Sequence, residues 1–354
     1  MKRHCMDIVT LCVCGVLGSA LPAAAGAQRT EIIDMHCHTA GAGYGGSGCF
    51  VSQELQDSIK FTIYLRSFGV TLEELRDQGD ALVIRKISER VRASRYVAQA
   101  VILALDGVAA EDGSLDAQAT ELYIPNEFVR DEVAKYDNLL YGASINPFRS
   151  DAIERLRQAA ADGAVLVKWL PSIMMIDPAD KRLIPFYEEM ARLGMPLLSH
   201  TGDEASFTRA RNELADPALL ELALQQGVTV IAAHMASSGA NRGQANMERL
   251  RTLMHRYPNL YSDISSLTQL NRYGALGRAL EDPRLHGRLL YGTDYPLINT
   301  LLCLPLLQVF KIGFQEALRI QRLDNPWDRD VELKRALGLP EPVFTRFADM
   351  LHRK

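Results

Sequence analysis

Short apolar runs recur along the chain, most of them followed by a stretch with helical spacing. Glu31–His38 reads as a first strand. Tyr96–Leu105, Leu139–Ser144, Ala164–Trp169, Met195–His200, Val228–His234, Leu260–Asp263 and Arg288–Asp294 supply seven more. Their interiors are continuously apolar rather than alternating, as expected of parallel strands buried on both faces. Helical patterns lie between them, at about 151–161, 185–193, 219–226, 247–257 and 276–281. Between the first two strands runs a long excursion. In it Thr71 and Glu74 form a capping-box signature, ahead of a helix with Leu72, Leu75, Leu82, Ile87 and Val91 on one side.

Eight strands separated by helices are the rhythm of βα repeats. They predict a (β/α)8 TIM barrel with an insertion after strand 1 and extra C-terminal helices, residues 295–354 adding these around the outside. The architectural rival is an open doubly wound sheet. No second domain or low-complexity linker interrupts the pattern, so residues 28–354 read as one barrel domain.

Composition narrows the class. Hydrophobic residues make up 47% and charged residues 23% of 354, enough for a large core. Lys and Arg number 39 against 43 Asp and Glu, without a basic block, which argues against nucleic-acid binding. Charges are scattered throughout, which excludes a multi-span membrane protein. The first residues differ from the rest. Lys2 and Arg3 precede Ile8–Gln28, a stretch without charge that ends in Ala23-Ala24-Ala25-Gly26-Ala27. This is the layout of a secretory signal peptide over residues 1–27, cleaved after Ala25 or Ala27. An uncleaved anchor is the competing reading. The expected product is exported, periplasmic or secreted, without stable membrane insertion after signal removal. It keeps 37 basic against 42 acidic residues and Cys37, Cys49 and Cys303. Three cysteines without CxxC spacing are neither a disulfide framework nor a zinc ribbon. A Cys37–Cys49 bridge is permitted in an oxidising compartment but not demanded.

Barrel enzymes carry their reactive groups at the C-terminal ends of the strands. Here those ends hold His36 and His38, Lys168, His200, His234 and Asp294, so four of the eight histidines fall at these positions. In an extended strand residues i and i+2 share a side, so His36 and His38 can grip one ion. Imidazole suits zinc and other first-row divalent ions, and an Asp oxygen completes a borderline donor set. Three or four protein ligands with one open position describe a catalytic rather than a structural metal. Asp34, of the same parity, is expected to orient a histidine. Any one of these residues alone reads better as a satisfied core group or a turn cap; the joint pattern carries the metal reading. His255, His286 and His352 fall on helices or in loops and read as surface residues.

The segments IIDMHCH, LLSHTGDE, VIAAHMASSG and LLYGTDYP, in that order, resemble the amidohydrolase superfamily, and within it the amidohydrolase-related branch of metal-dependent hydrolases and decarboxylases. The resemblance spans about residues 31–300. It implies a barrel metal bound by His36, His38, His200 and Asp294, with His234 a second-metal ligand or the proton-transferring residue. A fourth-strand lysine is carboxylated and bridges two ions in two-metal members, which makes Lys168 a candidate ligand. The alternative is a lysine holding a substrate carboxylate or an acidic neighbour. The motif style favours one ion, with zinc as the expected metal. Such an ion activates water and polarises a carbonyl. Asp294 then takes the proton and His234 stabilises or protonates the developing charge. The lead is hydrolysis of a C–N or C–O bond in an amide, lactone or ester. Metal-dependent non-oxidative decarboxylation is the second reading and a non-catalytic metal- or ligand-binding barrel the third. The partner is a small-molecule substrate, and the excursion after strand 1 is a lid or a homodimer contact.

Other features point elsewhere. Gly41-x-Gly43-x-x-Gly46 matches a dinucleotide fingerprint, yet its place beside the histidine pair favours a flexible rim of the metal pocket. Ser237-Ser238-Gly239 is not a nucleophile elbow, since G-x-S-x-G is absent. Asp203 and Glu204 read as a solvated loop, with contact to substrate or metal as the alternative, and Arg149 as a substrate-carboxylate ligand or a surface residue.

Overall fold

The computed structural model describes residues 31–352; residues 1–27, the expected signal peptide, lie outside them. The eight expected strands form: β1 (Ile32–His38), β2 (Val97–Leu103), β3 (Leu139–Gly142), β4 (Val167–Trp169), β5 (Leu197–Ser199), β6 (Val230–Ala232), β7 (Leu260–Asp263) and β8 (Leu289–Leu290). Every neighbouring pair is parallel, in two arcs, β1-β2-β3 and β4 through β8. The arcs join at both seams. Lys168 N donates to Ala143 O (2.7 Å) on one side. On the other, Asp294 N donates to His36 O and His38 N to Tyr295 O, both at 2.9 Å. The sheet is therefore a barrel with strands in sequence order, not an open doubly wound sheet.

Ile33, Met35, Val101, Leu103, Leu166, Leu198, Ile231, Ala233 and Leu290 form the lumen core, packed with Phe347 and Ala348. The last two belong to the helix Glu341–Leu351. This helix does not run round the outside as expected. It lies across the N-terminal mouth, where its apolar face covers side chains that no strand partner can cover. The lumen is thus filled from below.

The excursion contains four helices, Gln53–Asp57, Ile59–Phe68, Leu72–Gln78 and Ala81–Arg92. The Thr71–Glu74 capping box is present, but the single helix expected beyond it is two. Gly79 breaks it, at φ 79° and ψ 165°, a conformation only glycine enters freely. The break frees buried Asp80, whose carboxylate accepts from Gly43 N (2.9 Å), Tyr44 N (3.2 Å) and the Ser47 hydroxyl. The glycine-rich segment is consequently tied down rather than a flexible rim. Phe50–Val51 adds an antiparallel pairing to Leu122–Tyr123, anchoring the excursion over the loop that follows β2. Cys37, Cys49 and Cys303 are all buried free thiols, so the permitted Cys37–Cys49 bridge is not made. No helix among the described residues is long and apolar enough to cross a membrane.

Because Phe347 seals the lumen from below, Phe347→Ala should lower unfolding stability by about 3–5 kcal/mol, read from urea denaturation. A loss under about 1 kcal/mol would mean that the helix is dispensable to the core.

Candidate metal centre

The site begins with a defect in β1. Asp34 pairs with Ala100 of β2 and Cys37 with Ile102, so three steps on β1 match two on β2. A bulge of this kind re-aims side chains. Met35 and His36 both turn inward, Cys37 turns out, and His38 turns in again. Asp34 is left facing outward, which overturns the expectation that it orients a histidine ring. It accepts instead from His36 N (3.1 Å), Thr293 N (2.9 Å), Thr293 Oγ1 (2.5 Å) and Trp327 Nε1 (2.8 Å). Burial pushes its carboxyl up to about 6. Asp34 braces the bulge.

The orienting carboxylate is Asp263, at the end of β7. Its Oδ2 lies 2.7 Å from His36 Nδ1, which leaves Nε2 facing the mouth. Its Oδ1 accepts from His234 N (2.8 Å) and Ser265 N (3.1 Å). Although burial pushes Asp263 the other way, the facing His36 ring holds it well below the usual carboxylate range. In the sequence Asp263 stands out only as the end of a strand, although the rule that places reactive groups at strand ends points to it as well.

Three donor atoms then converge. His36 Nε2 is 3.2 Å from His38 Nε2, His38 Nε2 is 3.2 Å from Asp294 Oδ1, and Asp294 Oδ1 is 3.4 Å from His36 Nε2. A tetrahedral ion with bonds of about 2.0–2.1 Å sets its donors about 3.3–3.4 Å apart. The spacing of the three atoms matches such an ion. His36 and Asp294 are buried, whereas the His38 side chain is 26% exposed, so the open side faces the mouth.

His200 stands beside this triangle rather than in it. Its ring lies 5.1 Å from that of His234, and Glu204 Oε2 faces its Nδ1 at 3.6 Å. Its Nε2 is buried without a partner. A buried imidazole nitrogen with no hydrogen bond is the signature of a donor reserved for something else. Glu204 is therefore part of the site wall rather than of a solvated loop, the alternative reading of its place just past His200. Burial pushes the His200 ring down to about 4, and it lowers His36 and His234 too, so all three are neutral at pH 7. Neutral imidazole is the form that ligates.

A second grouping, His36, His234 and Asp263, also brings donors together. Ser265 already satisfies it. Its hydroxyl sits 2.8 Å from His234 Nδ1, 3.2 Å from His36 Nδ1 and 2.6 Å from Asp263 Oδ1. That is a hydrogen-bond hub, in which each of the three groups already has a partner. It fixes the His234 ring with Nε2 turned to Asp294 Oδ2, 3.8 Å away. Ser266 in turn donates to Asp294 Oδ2 (2.6 Å) and Gln269 donates to Ser266 (3.0 Å). Backbone strain accumulates here: His234, Met235, Ala236, Ser266 and Asp294 all have positive φ, between 47° and 61°. Non-glycine residues hold that region only where surrounding contacts enforce it, commonly at functional sites.

Lys168 is fully buried on β4, its Nζ 2.9 Å from His36 Nε2. It makes no ion pair among the described residues, so the alternative of an acidic neighbour is not realised. Burial brings its amine down to about 8. The His36 Nε2 lone pair serves either this amine or an ion, so loading a metal requires Nζ to turn aside. Gly292 makes the triangle possible, since a Cβ there would stand 2.9 Å from His36 Cβ. Two residues that sequence reading missed line the mouth. Tyr64, from the excursion helix Ile59–Phe68, feels the charges of Glu204 and Asp294. Arg272, beyond β7, bonds Ser237 Oγ through Nη1 (2.8 Å). Arg149 is buried away from the metal triangle, 3.8 Å from Asp106. His255 pairs with Asp282 and His286 with Leu280 O, both outside the site.

Asp263→Asn should lower zinc affinity about 10–100-fold, measured by chelator competition; wild-type affinity would remove the orienting role from Asp263. In metal-free protein the His200 ring should titrate near pH 4 by nitrogen-detected NMR, and a midpoint near 6.5 would contradict its burial as a neutral donor.

Residues 33–301 match the family model described as amidohydrolase. Among solved structures, the chain is similar to an uncharacterized TIM-barrel protein from Bordetella bronchiseptica, at 16% identity and TM-score 0.52, over 86% of this chain and 99% of that one. It is also similar to 5-carboxyvanillate decarboxylase from Sphingomonas paucimobilis, at 11% identity and TM-score 0.50, over 92% and 99%. At these identities the likeness is one of fold, the TIM barrel. No curated protein matches the sequence.

Proposed function

The chain belongs to the amidohydrolase family, and from that premise we propose that it is an exported metal-dependent hydrolase acting on an amide, lactone or ester. The observation that carries the proposal is the triangle of His36 Nε2, His38 Nε2 and Asp294 Oδ1, with edges of 3.2, 3.2 and 3.4 Å. These three would hold one divalent ion, zinc, with the unpartnered His200 Nε2 as the fourth protein donor on hand. One ion rather than two is supported by the Ser265 hydroxyl, which already gives each member of the second group a hydrogen-bond partner. When bound, the ion supplies Lewis acidity, bringing the pKa of water to about 7 and polarising a scissile carbonyl.

The chain's own residues divide the remaining work. Asp294 turns Oδ1 to the histidine pair, while Oδ2 accepts from Ser266 and faces His234. Oδ2 can therefore take the proton of the attacking water. His234 enters neutral, with its Nδ1 proton facing Ser265, so Nε2 carries the lone pair; it can accept from Asp294 Oδ2, 3.8 Å away, the proton taken from the water and pass it to the leaving group. Tyr64 and Arg272 narrow the mouth above them. In the same pocket, a proton delivered by His234 to carbon rather than to nitrogen or oxygen would give non-oxidative decarboxylation.

Purified protein should carry about one zinc per chain, and His234→Ala should keep that ion while losing about 100- to 10,000-fold in turnover of an ester or lactone panel. Full turnover without His234 would overturn its role, and carbon dioxide release from aromatic acids in place of hydrolysis would replace the hydrolase by a decarboxylase. For export, the mature protein recovered from a secreting host should begin at Gly26 or Gln28; an intact Met1 would contradict cleavage.

A further inference from the structure

Nine large apolar side chains stand exposed among the described residues, and all nine fall in three segments, 59–63, 270–273 and 301–314. The fold joins these segments into one face. Asn299 Nδ2 donates to Ser67 O (2.8 Å), which ties the stretch after β8 to the helix Ile59–Phe68. Gln308 Nε2 donates to Thr268 O (3.1 Å), which ties the same stretch to the loop beyond β7. The Lys311 ammonium lies 5.2 Å from the centre of the Tyr273 ring. Residues 295–310 carry no charge at all. Phe310 protrudes furthest, 95% exposed. Its chain neighbour Lys311 borders a hollow of about 120 Å³, lined by Leu267, Gly274, Leu276, Gly277 and Leu337.

Exposed apolar patches on a monomer rarely exceed about 300–600 Å². An aromatic side chain alone carries roughly 150–250 Å². Phe310, Phe314 and Tyr273 with six aliphatic side chains therefore reach the ~800 Å² that each partner buries in a standard interface. A bilayer is the poorer occupant, because segments that lie on membranes surround their apolar face with Lys and Arg, which the uncharged stretch 295–310 does not. A two-fold interface sets one patch against itself, so a protruding group needs its receptor on the same patch. Phe310 and the hollow meet that requirement. They also match in size, since a cavity of about 150 Å³ holds a benzene ring. We infer that two copies of this chain associate through this face, the Phe310 ring of each filling the hollow of the other. The excursion after β1 supplies only Ile59 and Ile63 to this contact. Leu267 and Thr268 directly follow Ser265 and Ser266, so association braces the loop that steadies His234 and Asp294. The association stands whatever reaction the site performs.

The test is sedimentation velocity on the protein recovered from a secreting host, where the wild type should run as a dimer at micromolar concentration. Phe310→Asp removes the ring, and Gly277→Leu fills the hollow from its own chain. Each should raise the dissociation constant about 30-fold or more. Both variants should keep the wild-type circular dichroism. Phe310 lies outside the core, and Gly277 sits in the helix Ala275–Ala279, where an added Cβ meets only Lys311 Nζ, at 3.7 Å. An equimolar mixture of the two variants restores one ring-in-hollow contact, so the mixed dimer should be tighter than either variant's own. A wild type that stays monomeric at tens of micromolar would overturn the inference. So would a dimer that both variants leave intact, or a mixture no tighter than its components. Monomeric wild type that co-sediments with phosphatidylglycerol vesicles would assign the face to a lipid surface instead.

Discussion

One extra residue in the first strand decides where the chemistry sits. Without the bulge between Asp34 and Cys37, strict alternation would put Asp34, His36 and His38 on one side and Met35 on the other. The histidines could then not share the inner face with Met35, and the lumen would lose part of its filling. The bulge lets β1 contribute both to the packed interior and to the donor triangle above it. Asp34 holds that irregularity in place through the His36 amide and ties it to β8 through Thr293 and to the helix Pro326–Ala336 through Trp327. The helix across the bottom and the bulge near the top are thus complementary: one seals the lumen, the other opens its far end to polar groups.

Above the bulge, two carboxylates have separate duties. Asp263 is wholly buried and spends its oxygens on His36, the His234 amide and Ser265, so it works through other side chains. Asp294 meets the mouth and offers an oxygen to the histidine pair while Ser266 and His234 attend to the other. The same pattern explains why the serines matter. Each places a hydroxyl where a carboxylate would otherwise have an unsatisfied lone pair, and together they hold His234 and Asp294 in strained backbone conformations that could not persist alone.

Much of this was legible in the sequence, for a physical reason. Parallel strands buried on both faces must be apolar throughout, so His36, His38, Lys168, His200, His234 and Asp294 stand out at their ends, and the structure gathers all six around one mouth. What escaped was set by local irregularity. The outward turn of Asp34 depends on a bulge that leaves no periodic trace. Gly79-Asp80 did leave one, a turn-forming pair inside a helical pattern. Asp263 sat in plain view at a strand end, but without a neighbouring histidine it resembled any polar terminus. Ser265, Ser266 and Arg272 lie in loops, where neither period nor spacing distinguishes a pocket residue from a solvated one. The helix Glu341–Leu351 was visible as a helix, yet nothing in its sequence said that its apolar face would plug a barrel rather than flank it.

The central claim is that three atoms on β1 and beyond β8 form one face of a metal's coordination sphere. Anomalous X-ray diffraction from crystals grown with zinc tests it most directly. The account predicts a single strong peak within about 2.0–2.2 Å of His36 Nε2, His38 Nε2 and Asp294 Oδ1, with the Lys168 amine turned away from His36. Zinc bound elsewhere, or no peak while these three atoms keep their present spacing, would contradict it.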